Sequence, residues 1–502
     1  MPQTKTSKLS IPYFLFAILF FLSFNASANF DFNANCQKAY QSIFELKLNT
    51  ARQLLTAERK IHPKNAIVPM LENYVDYYYL LTTESKTEFE RLESNKDSRI
   101  DQITDDDKRS PYYLYAQAQI NLQWALIRGR YGSYFTAAKE INKANSLLQE
   151  NTKKFPGFHL NGMGLGLINV VMGALPDGFL KSTLATFGLK GNTQNGLNML
   201  DKLAENLPKS AYEPFYEETV FNYAYMLSDV AHSPQAYAKT MKYTARIADS
   251  SLLKSYLQAY VCARNAHNDE AIEILTNKPT GIAYQPFPYL DYLMGIAKLN
   301  KLDLSASTFF ERYLQTNKGV NYVKDTYLHL GWIALFKGDD EGYAAMIVKT
   351  KNSGYTYHER DKQAVNEANS PTPNKELLKA RLLFDGGYYT KALATLSDNK
   401  TEDYSNTKDK TEFQYRLGRI NDALGKEDVA LTNYQNAINF GKGLKYYYAA
   451  KAAVQMGKIY ENKKNLSRAK SSFNIAISMS DHEQENSIEN EAKQGLRRIG
   501  GS

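Results

Sequence analysis

Apolar residues recur along most of the chain at intervals of three and four positions, which is the spacing of one face of an α-helix. Val68, Leu71, Val75 and Tyr78 follow this spacing near the amino terminus, and similar patterns continue downstream. Series of short alternating segments separated by turns, which would indicate β-strands, are not found in the sequence. The pattern therefore predicts an all-α fold.

In the carboxy-terminal half, a pattern of small and aromatic residues also recurs at a much longer interval along the chain. Two segments superpose at an offset of 39 residues without a gap, and each has a glycine, an alanine, an aromatic residue and a second alanine. A small residue lets two helices approach closely, and an aromatic ring fills the space between helix pairs. The corresponding residues are Gly418, Ala430, Tyr434 and Ala437 in one copy, and Gly457, Ala469, Phe473 and Ala476 in the next.

Earlier copies of this pattern are less complete. They are marked by Gly295, Ala306, Phe310, Gly331 and Ala392. The small residues that begin the copies are 36 to 39 positions apart, except for one interval of 49. The long interval contains a polar stretch over 354–374 with the sequence Ser-Pro-Thr-Pro, which predicts an irregular linker and a candidate hinge.

In its two best copies this pattern resembles the tetratricopeptide repeat (TPR). The resemblance implies an α-α superhelix, which is a solenoid of helical hairpins. The first helix of each repeat in such a solenoid lines a concave groove. The resemblance also implies that the protein acts by binding a partner in that groove.

The positions that face the groove follow from the register of the small residues. We predict ten groove residues, aromatic or apolar at one end and of mixed charge at the other: Tyr292, Leu328, Trp332, Arg381, Tyr415, Arg419, Asp422, Lys451, Lys458 and Glu461. A chaperone-type carboxylate clamp requires Lys and Asn where this chain has Tyr415 and Arg419. Capture of a peptide carboxy terminus is therefore not expected.

Residues 158–189 are rich in glycine and apolar side chains and contain few charges. Three interpretations are open: a tightly packed helical hairpin, an apolar surface for a membrane or a partner, and a phosphate-binding loop at Gly162, Gly164 and Gly166. The loop interpretation lacks a preceding strand and the spacing of a dinucleotide-binding fingerprint. The packed hairpin is favoured, because glycines permit close helix contact.

The same region resembles a second family, the tetratricopeptide repeat 39 and inclusion-body-clearance proteins. The resemblance rests on a glycine-rich helix over 162–175 that leads to a Leu-Pro corner, a turn over 188–192, and Gly-Leu at 196–197. Leu189 and Asn192 stand where the family has Phe and Asp. The resemblance implies a continuous helical array with an inserted apolar hairpin, and a scaffold or adaptor role.

The first 28 residues have the pattern of a secretory signal peptide. Lys5 and Lys8 precede an apolar run, and Ala-Ser-Ala ends the segment at position 28. The apolar run of 14 residues is shorter than the roughly 20 needed to span a bilayer, so cleavage is expected in preference to anchoring. We therefore predict an exported protein that is periplasmic or associated with the outer membrane, with an extracellular location as the alternative.

The length of the chain allows either several domains or one extended array, and the repeats favour the array. The helical pattern divides the mature chain into five parts. These are an amino-terminal helical region (29–150), a helical region with the glycine-rich hairpin (151–250), TPR-like repeats (251–353), the linker (354–374) and carboxy-terminal TPR repeats (375–500).

Charge and composition exclude one class of partner. The formal charge of +8 falls to +6 when Lys5 and Lys8 are removed with the signal peptide, and basic and acidic residues are interleaved throughout. Nucleic-acid-binding proteins usually carry a concentrated basic stripe, so no nucleic-acid partner is expected. The 37 tyrosines suit half-buried helix seams and binding grooves equally well.

No set of residues predicts catalysis. The seven histidines have no metal-ligand spacing, and no nucleophile or phosphate-binding motif is complete. We therefore expect a protein that is not an enzyme and uses neither a metal nor a cofactor. Cys36 and Cys262 are expected to be two buried thiols, with a disulfide between them as the alternative.

Three functions remain open at this point. The first is a scaffold that binds a protein partner in the groove. The second is an envelope glycan-binding protein, because exposed Tyr and Trp rings can stack on sugars; the lack of a lipid-attachment cysteine counts against it. The third is a membrane-associated organiser that uses residues 158–189.

Overall fold

The computed structural model describes residues 30–175, 181, 184–185 and 188–500. Within these residues all regular secondary structure is helical and no strand is present. The prediction of an all-α fold is therefore confirmed. The predicted signal peptide, residues 1–28, lies outside the described residues.

The helices fall into two groups along the chain. The amino-terminal helices are α1 (Ala34–Phe44), α2 (Leu48–Ile61), α3 (Ile67–Thr83), α4 (Lys86–Leu92), α5 (Asn95–Thr104), α6 (Pro111–Arg130), α7 (Tyr134–Lys154), α8 (Asn161–Ala174), α9 (Thr193–Asn206), α10 (Tyr216–Tyr225) and α11 (Ala236–Thr244). The carboxy-terminal helices are α12 (Leu252–Arg264), α13 (Asn268–Asn277), α14 (Tyr289–Asn300), α15 (Ala306–Thr316), α16 (Val323–Lys337), α17 (Asp340–Asn352), α18 (Glu359–Ala368), α19 (Lys375–Asp385), α20 (Tyr389–Leu396), α21 (Thr407–Ala423), α22 (Glu427–Gly441), α23 (Tyr448–Asn462), α24 (Leu466–Ile477) and α25 (Glu485–Arg498).

Consecutive helices pack as pairs along most of the chain. In the carboxy-terminal group the pairs are α12 with α13, α14 with α15, α16 with α17, α19 with α20, α21 with α22 and α23 with α24. Successive pairs also contact each other, as α13 contacts α14 and α22 contacts α23. This arrangement is that of a helical superhelix built from repeated hairpins.

In the best-formed pairs, a glycine of the first helix lies against an aromatic ring of the second helix. A Cβ atom on Gly418 would lie 2.5 Å from the ring of Tyr434, and a Cβ atom on Gly457 would lie 2.5 Å from the ring of Phe473. Both rings are completely buried. Any larger residue would displace the ring, so glycine sets the distance between the two helices.

Earlier pairs show the same contact in weaker form. A Cβ atom on Gly295 would lie 2.7 Å from the ring of Phe310, whereas one on Gly331 would lie 3.3 Å from Met346. The alanines of the repeat pattern fill other contacts between helices and are at most 2% exposed: Ala306, Ala392, Ala430, Ala437, Ala469 and Ala476. Small residues therefore occupy the positions where helix backbones approach most closely.

The segment 354–374 contains α18, so the expectation of a wholly irregular linker is wrong. Asp361 on this helix is fully buried. Its carboxylate accepts hydrogen bonds from the backbone N–H groups of Tyr322, Lys324 and Asp325 at 2.6, 2.9 and 3.2 Å. These groups lie at the start of α16, where a helix has no acceptors of its own. The polar sequence thus forms a helix that caps its neighbour.

The amino-terminal helices pack back against the middle of the chain. The amide of Gln285 donates to the carbonyl of Leu46 at 2.7 Å, and the amide of Val320 donates to the carbonyl of Glu84 at 3.2 Å. Arg130 on α6 forms an ion pair with Glu84. These contacts hold α3 and α6 beside the first helices of the repeats.

Helix α8 forms much of the glycine-rich segment. It packs so closely on α9 that a Cβ atom on Gly196 would lie 2.6 Å from the carbonyl oxygen of Gly166. The packed-hairpin interpretation agrees with this contact. Gly162 and Gly164 also lie inside α8, so the interpretation of these glycines as a phosphate-binding loop is wrong.

The Leu-Pro corner expected after α8 falls partly on residues 176–180, which lie outside the described residues. Among the helices that the structure describes, none combines the length and the apolar character needed to cross a bilayer.

Both cysteines are free and buried, which agrees with the expected pair of separate thiols. Cys36 and Cys262 belong to the large core that joins the amino-terminal helices to the first repeats. Burial raises the pKa of the Cys36 thiol to about 12, so this side chain stays protonated and unreactive.

A buried carboxylate joins α10 to α1 and α3. Glu218 accepts hydrogen bonds from the hydroxyl groups of Tyr40 and Tyr74. All three side chains are at most 3% exposed. Burial raises the pKa of Glu218 to about 7, because an ionised carboxylate loses its hydration in the core.

Glu218→Gln should change how stability depends on pH. The unfolded chain ionises this carboxyl near its ordinary pKa of 4.5, and the folded chain only near 7, so the stability of the wild type falls as pH rises between these values. Glutamine does not ionise, so over this interval the variant should gain roughly 3 kcal/mol relative to the wild type. Urea unfolding at a series of pH values measures this difference, with exposed Glu150→Gln as the control. A difference that does not vary with pH would contradict the prediction.

Candidate functional site

The first helices of the repeats surround a large cavity, which we call the chamber. Its wall is formed by α12, α14, α16, α18, α19 and α21, together with parts of α3, α6 and α10. The cavity has a volume of about 1230 Å³. Sites for small molecules usually have volumes of roughly 300–1,000 Å³, so the chamber has room for a longer ligand.

Aromatic rings form the middle of the chamber wall. The described part of the wall includes nine tyrosines. The ring centroid of Tyr289 lies 5.9, 5.4 and 4.9 Å from those of Tyr256, Tyr292 and Tyr322. Burial raises the pKa of each of these phenols, so their hydroxyl groups remain protonated hydrogen-bond donors.

Carboxylates at the amino-terminal side of the chamber are already bound to partners. Glu84 forms an ion pair with Arg130. Asp229 accepts a hydrogen bond from the hydroxyl of Tyr260 at 2.7 Å and lies 3.4 Å from the guanidinium of Arg264. Both carboxylates that the described residues place on this side of the wall, Glu84 and Asp229, are therefore already paired.

The carboxylates further along the wall are also engaged. Asp325 accepts a hydrogen bond from the Tyr292 hydroxyl at 2.5 Å. Nη1 of Arg381 lies 2.9 and 3.1 Å from the two carboxylate oxygens of Glu367. Asp385 lies 4.0 Å from the same arginine. Each of these carboxylates therefore has a partner, although three carboxylates stand here against one paired arginine.

Two arginines of the wall have no such partner. Among the described residues, no carboxylate lies within ion-pair distance of the Arg360 guanidinium, although the nearby charge of Asp325 contributes to raising the pKa of this arginine. Arg419 donates to the hydroxyl of Tyr415 at 3.0 Å and lies 4.4 Å from the ring centroid of Phe384, but it pairs with no described carboxylate. The donors of both side chains are therefore available to a ligand in the chamber.

Four of the ten predicted groove residues line the chamber. They are Tyr292, Trp332, Arg381 and Arg419. They lie on four different first helices, α14, α16, α19 and α21. Tyr292 and Trp332 are only 1% and 3% exposed, so they border the chamber mainly as packed side chains, whereas Arg381 and Arg419 are half-buried.

Leu328 and Tyr415 do not line the chamber. They are only 2% and 1% exposed, so the expectation of two exposed groove residues is wrong. The ring of Tyr415 lies between helices, with centroids 5.8 and 5.6 Å from those of Tyr447 and Tyr448. Only its hydroxyl reaches toward the chamber, where it accepts the hydrogen bond from Arg419.

The remaining predicted groove residues lie outside the chamber: Asp422, Lys451, Lys458 and Glu461. Both lysines form ion pairs with Glu491, and the glutamate pairs with Arg498. These partners lie on α25, which covers this face of α23. The aspartate accepts a hydrogen bond from the Tyr434 hydroxyl at 3.4 Å. Sequence reasoning missed α25 because this helix follows the last recognisable repeat.

Several residues of the chamber were not predicted from the sequence. Arg360 lies in the segment interpreted as a linker, and Arg130 lies on α6, where the repeat pattern is weak. Arg264 and Tyr289 lie at the ends of first helices, away from the small residues that set the register. Helical periodicity over 359–368 is the signal that could have placed Arg360 on an inner helix.

The chamber offers binding groups of several kinds. The hydroxyl of Tyr322 lies 3.1 Å from Nε2 of His358. Burial, together with the nearby charge of Arg360, lowers the pKa of His358 to about 4, so this imidazole is neutral near pH 7. Over the described residues, no group of three or more His, Cys, Asp and Glu side chains could hold a metal ion. Phenols, a neutral imidazole and guanidinium groups together favour hydrogen bonding and stacking with a ligand.

Comparison with protein-family models and with curated proteins gives no match. A helical-repeat fold does not by itself identify a function. The function is therefore argued from the chamber.

Removing a paired and an unpaired arginine should have different effects on stability. Arg381→Gln breaks the contact with Glu367 and is expected to cost about 1–2 kcal/mol. Arg360→Gln breaks no ion pair and removes a charge from a half-buried site, so its stability should stay within about 0.5 kcal/mol of the wild type or increase. Midpoints of urea unfolding measure both changes. An equal loss in the two variants would show that Arg360 stabilises the fold.

Proposed function

We propose that this protein is an exported, non-catalytic scaffold or adaptor of the TPR type, which holds an extended segment of a partner protein in the chamber. The chamber itself is the observation that carries the proposal. It runs along the first helices of successive repeats and has a volume of about 1230 Å³. Helical-repeat proteins use concave surfaces of this kind to bind partners.

The chemistry of the wall supports a peptide ligand. Tyrosine rings provide large apolar contacts at low conformational cost, and their hydroxyl groups can donate to backbone carbonyls. Tyr289 and Tyr389 are both half-buried in the wall, so each keeps part of its ring free for a ligand. An extended chain can therefore bury side chains against the rings and satisfy its backbone with the hydroxyl groups.

An envelope glycan-binding protein is the second candidate. The rings of Tyr355 and Tyr357 are stacked, with centroids 5.3 Å apart and planes 13° apart. Tyr355 is 48% exposed, and Tyr357 belongs to the chamber wall. Exposed parallel rings at the edge of a cavity are a surface on which a sugar ring can stack.

A membrane-associated organiser acting through residues 158–189 is supported less well. Met163, Leu167 and Ile168 on α8 are buried in the protein. Because these apolar side chains contact other helices, they are not free to contact lipid.

Site-specific photo-crosslinking in intact cells tests the first proposal. Benzoylphenylalanine at Tyr389, in the chamber wall, should form an adduct with a distinct protein, because a bound segment would contact this position. The same group at Val348, which is 57% exposed and does not line the chamber, is the control and should not form that adduct.

The same adduct from both positions would show that the chamber is not the binding surface. Lack of an adduct at Tyr389, together with retention of the protein on envelope polysaccharide, would favour the glycan function.

A further inference from the structure

The arginines of the chamber fall into two kinds. A guanidinium removed from water normally has a carboxylate partner, because an unpaired buried charge is costly. Arg130, Arg264 and Arg381 follow this rule. Arg360 and Arg419 have no described carboxylate within ion-pair distance, although the charges of Asp325 and Asp385 act on them from further away. We propose, resting on the scaffold function above, that the chamber recognises an acidic peptide segment whose carboxylates bind Arg360 and Arg419.

Arg360 lies in the second position of α18, facing the aromatic part of the wall. Asp325 is the nearby carboxylate, and its charge favours the charged form of Arg360, but it lies beyond ion-pair distance and already accepts a hydrogen bond from the hydroxyl of Tyr292. A guanidinium carries five N–H donors in a planar fork that matches a carboxylate. Water is partly excluded by the surrounding rings, so a carboxylate bound here gains more than it would at an exposed site.

Arg419 provides the second anchor. Its contacts with the Tyr415 hydroxyl and the Phe384 ring hold the guanidinium in place and leave further donors free. Arg381, on the intervening helix α19, is neutralised by Glu367. Arg360 and Arg419 therefore lie on either side of an arginine that Glu367 and Asp385 already pair, which fits an extended segment with acidic residues at two separated positions.

The other charges of the wall make a basic or uncharged ligand less suitable. Each of the six carboxylates in the described wall has a basic or hydroxyl partner within the chain. A basic segment would have to share a carboxylate that already has a partner, whereas the guanidinium groups of Arg360 and Arg419 have no carboxylate within ion-pair distance. The described wall contains no lysine, so these two arginines are its available cations. An uncharged glycan would leave both without a counter-charge.

Selection from a random dodecapeptide library displayed on phage tests the inference. The full mature protein is the bait, and the Asp and Glu content of the selected peptides is compared with that of the input library. We expect enrichment of acidic residues. For a synthetic peptide of the most enriched sequence, fluorescence anisotropy should show that Arg360→Gln and Arg419→Gln each weaken binding about tenfold, which is the loss of one charge-assisted contact.

Arg109→Gln is the matched control, because Arg109 has a side chain 91% exposed and does not line the chamber; this variant should bind as the wild type does. Unfolding midpoints of all variants confirm that each is folded. Selected peptides without acidic enrichment, or affinities unchanged in both chamber variants, would overturn the acidic-segment inference and leave the scaffold function standing. Failure to select any peptide above background would count against both.

Discussion

Close contact between a glycine on one helix and a buried aromatic ring on the next determines how this chain packs. Tyr434 lies on Gly418 and Phe473 lies on Gly457, each where a side chain would otherwise project. The ring of Phe473 also lies 2.5 Å from the Cβ position of Gly495, so it joins three successive helices. On α21, which carries Gly418, Arg419 lines the chamber, whereas on α23, which carries Gly457, the corresponding face is covered by α25.

The chamber combines a rigid wall with groups that remain free to bind. The ion pair between Glu84 and Arg130 ties the amino-terminal helices to the wall, and the pair between Glu367 and Arg381 ties α18 to α19. These two contacts pair Glu84 and Glu367, and no described carboxylate lies within ion-pair distance of Arg360. A wall held by its own ion pairs need not rearrange to receive a ligand, which lowers the entropic cost of binding.

The sequence was sufficient to predict the helical class, because this class depends on local periodicity. The sequence did not predict that Tyr415 is buried, because the rings that pack against it, Tyr447 and Tyr448, belong to the following hairpin. Helix α18 was missed because its polar residues are stabilised by a distant contact, the hydrogen bonds from the start of α16 to Asp361. The packing of α25 on α23 was also missed, because the ion pairs between these helices are not part of the repeat pattern.

A double-mutant cycle between Gly457 and Phe473 tests the packing account most directly. Gly457→Ala places a Cβ atom 2.5 Å from the ring and should destabilise the protein by about 1–3 kcal/mol. In a Phe473→Leu background, the smaller and more flexible side chain leaves room for that atom, so the cost of the alanine should fall by at least about 1 kcal/mol. Urea unfolding of the four proteins measures this coupling free energy. Strictly additive effects would contradict the account, because they would show that the glycine and the ring do not constrain each other.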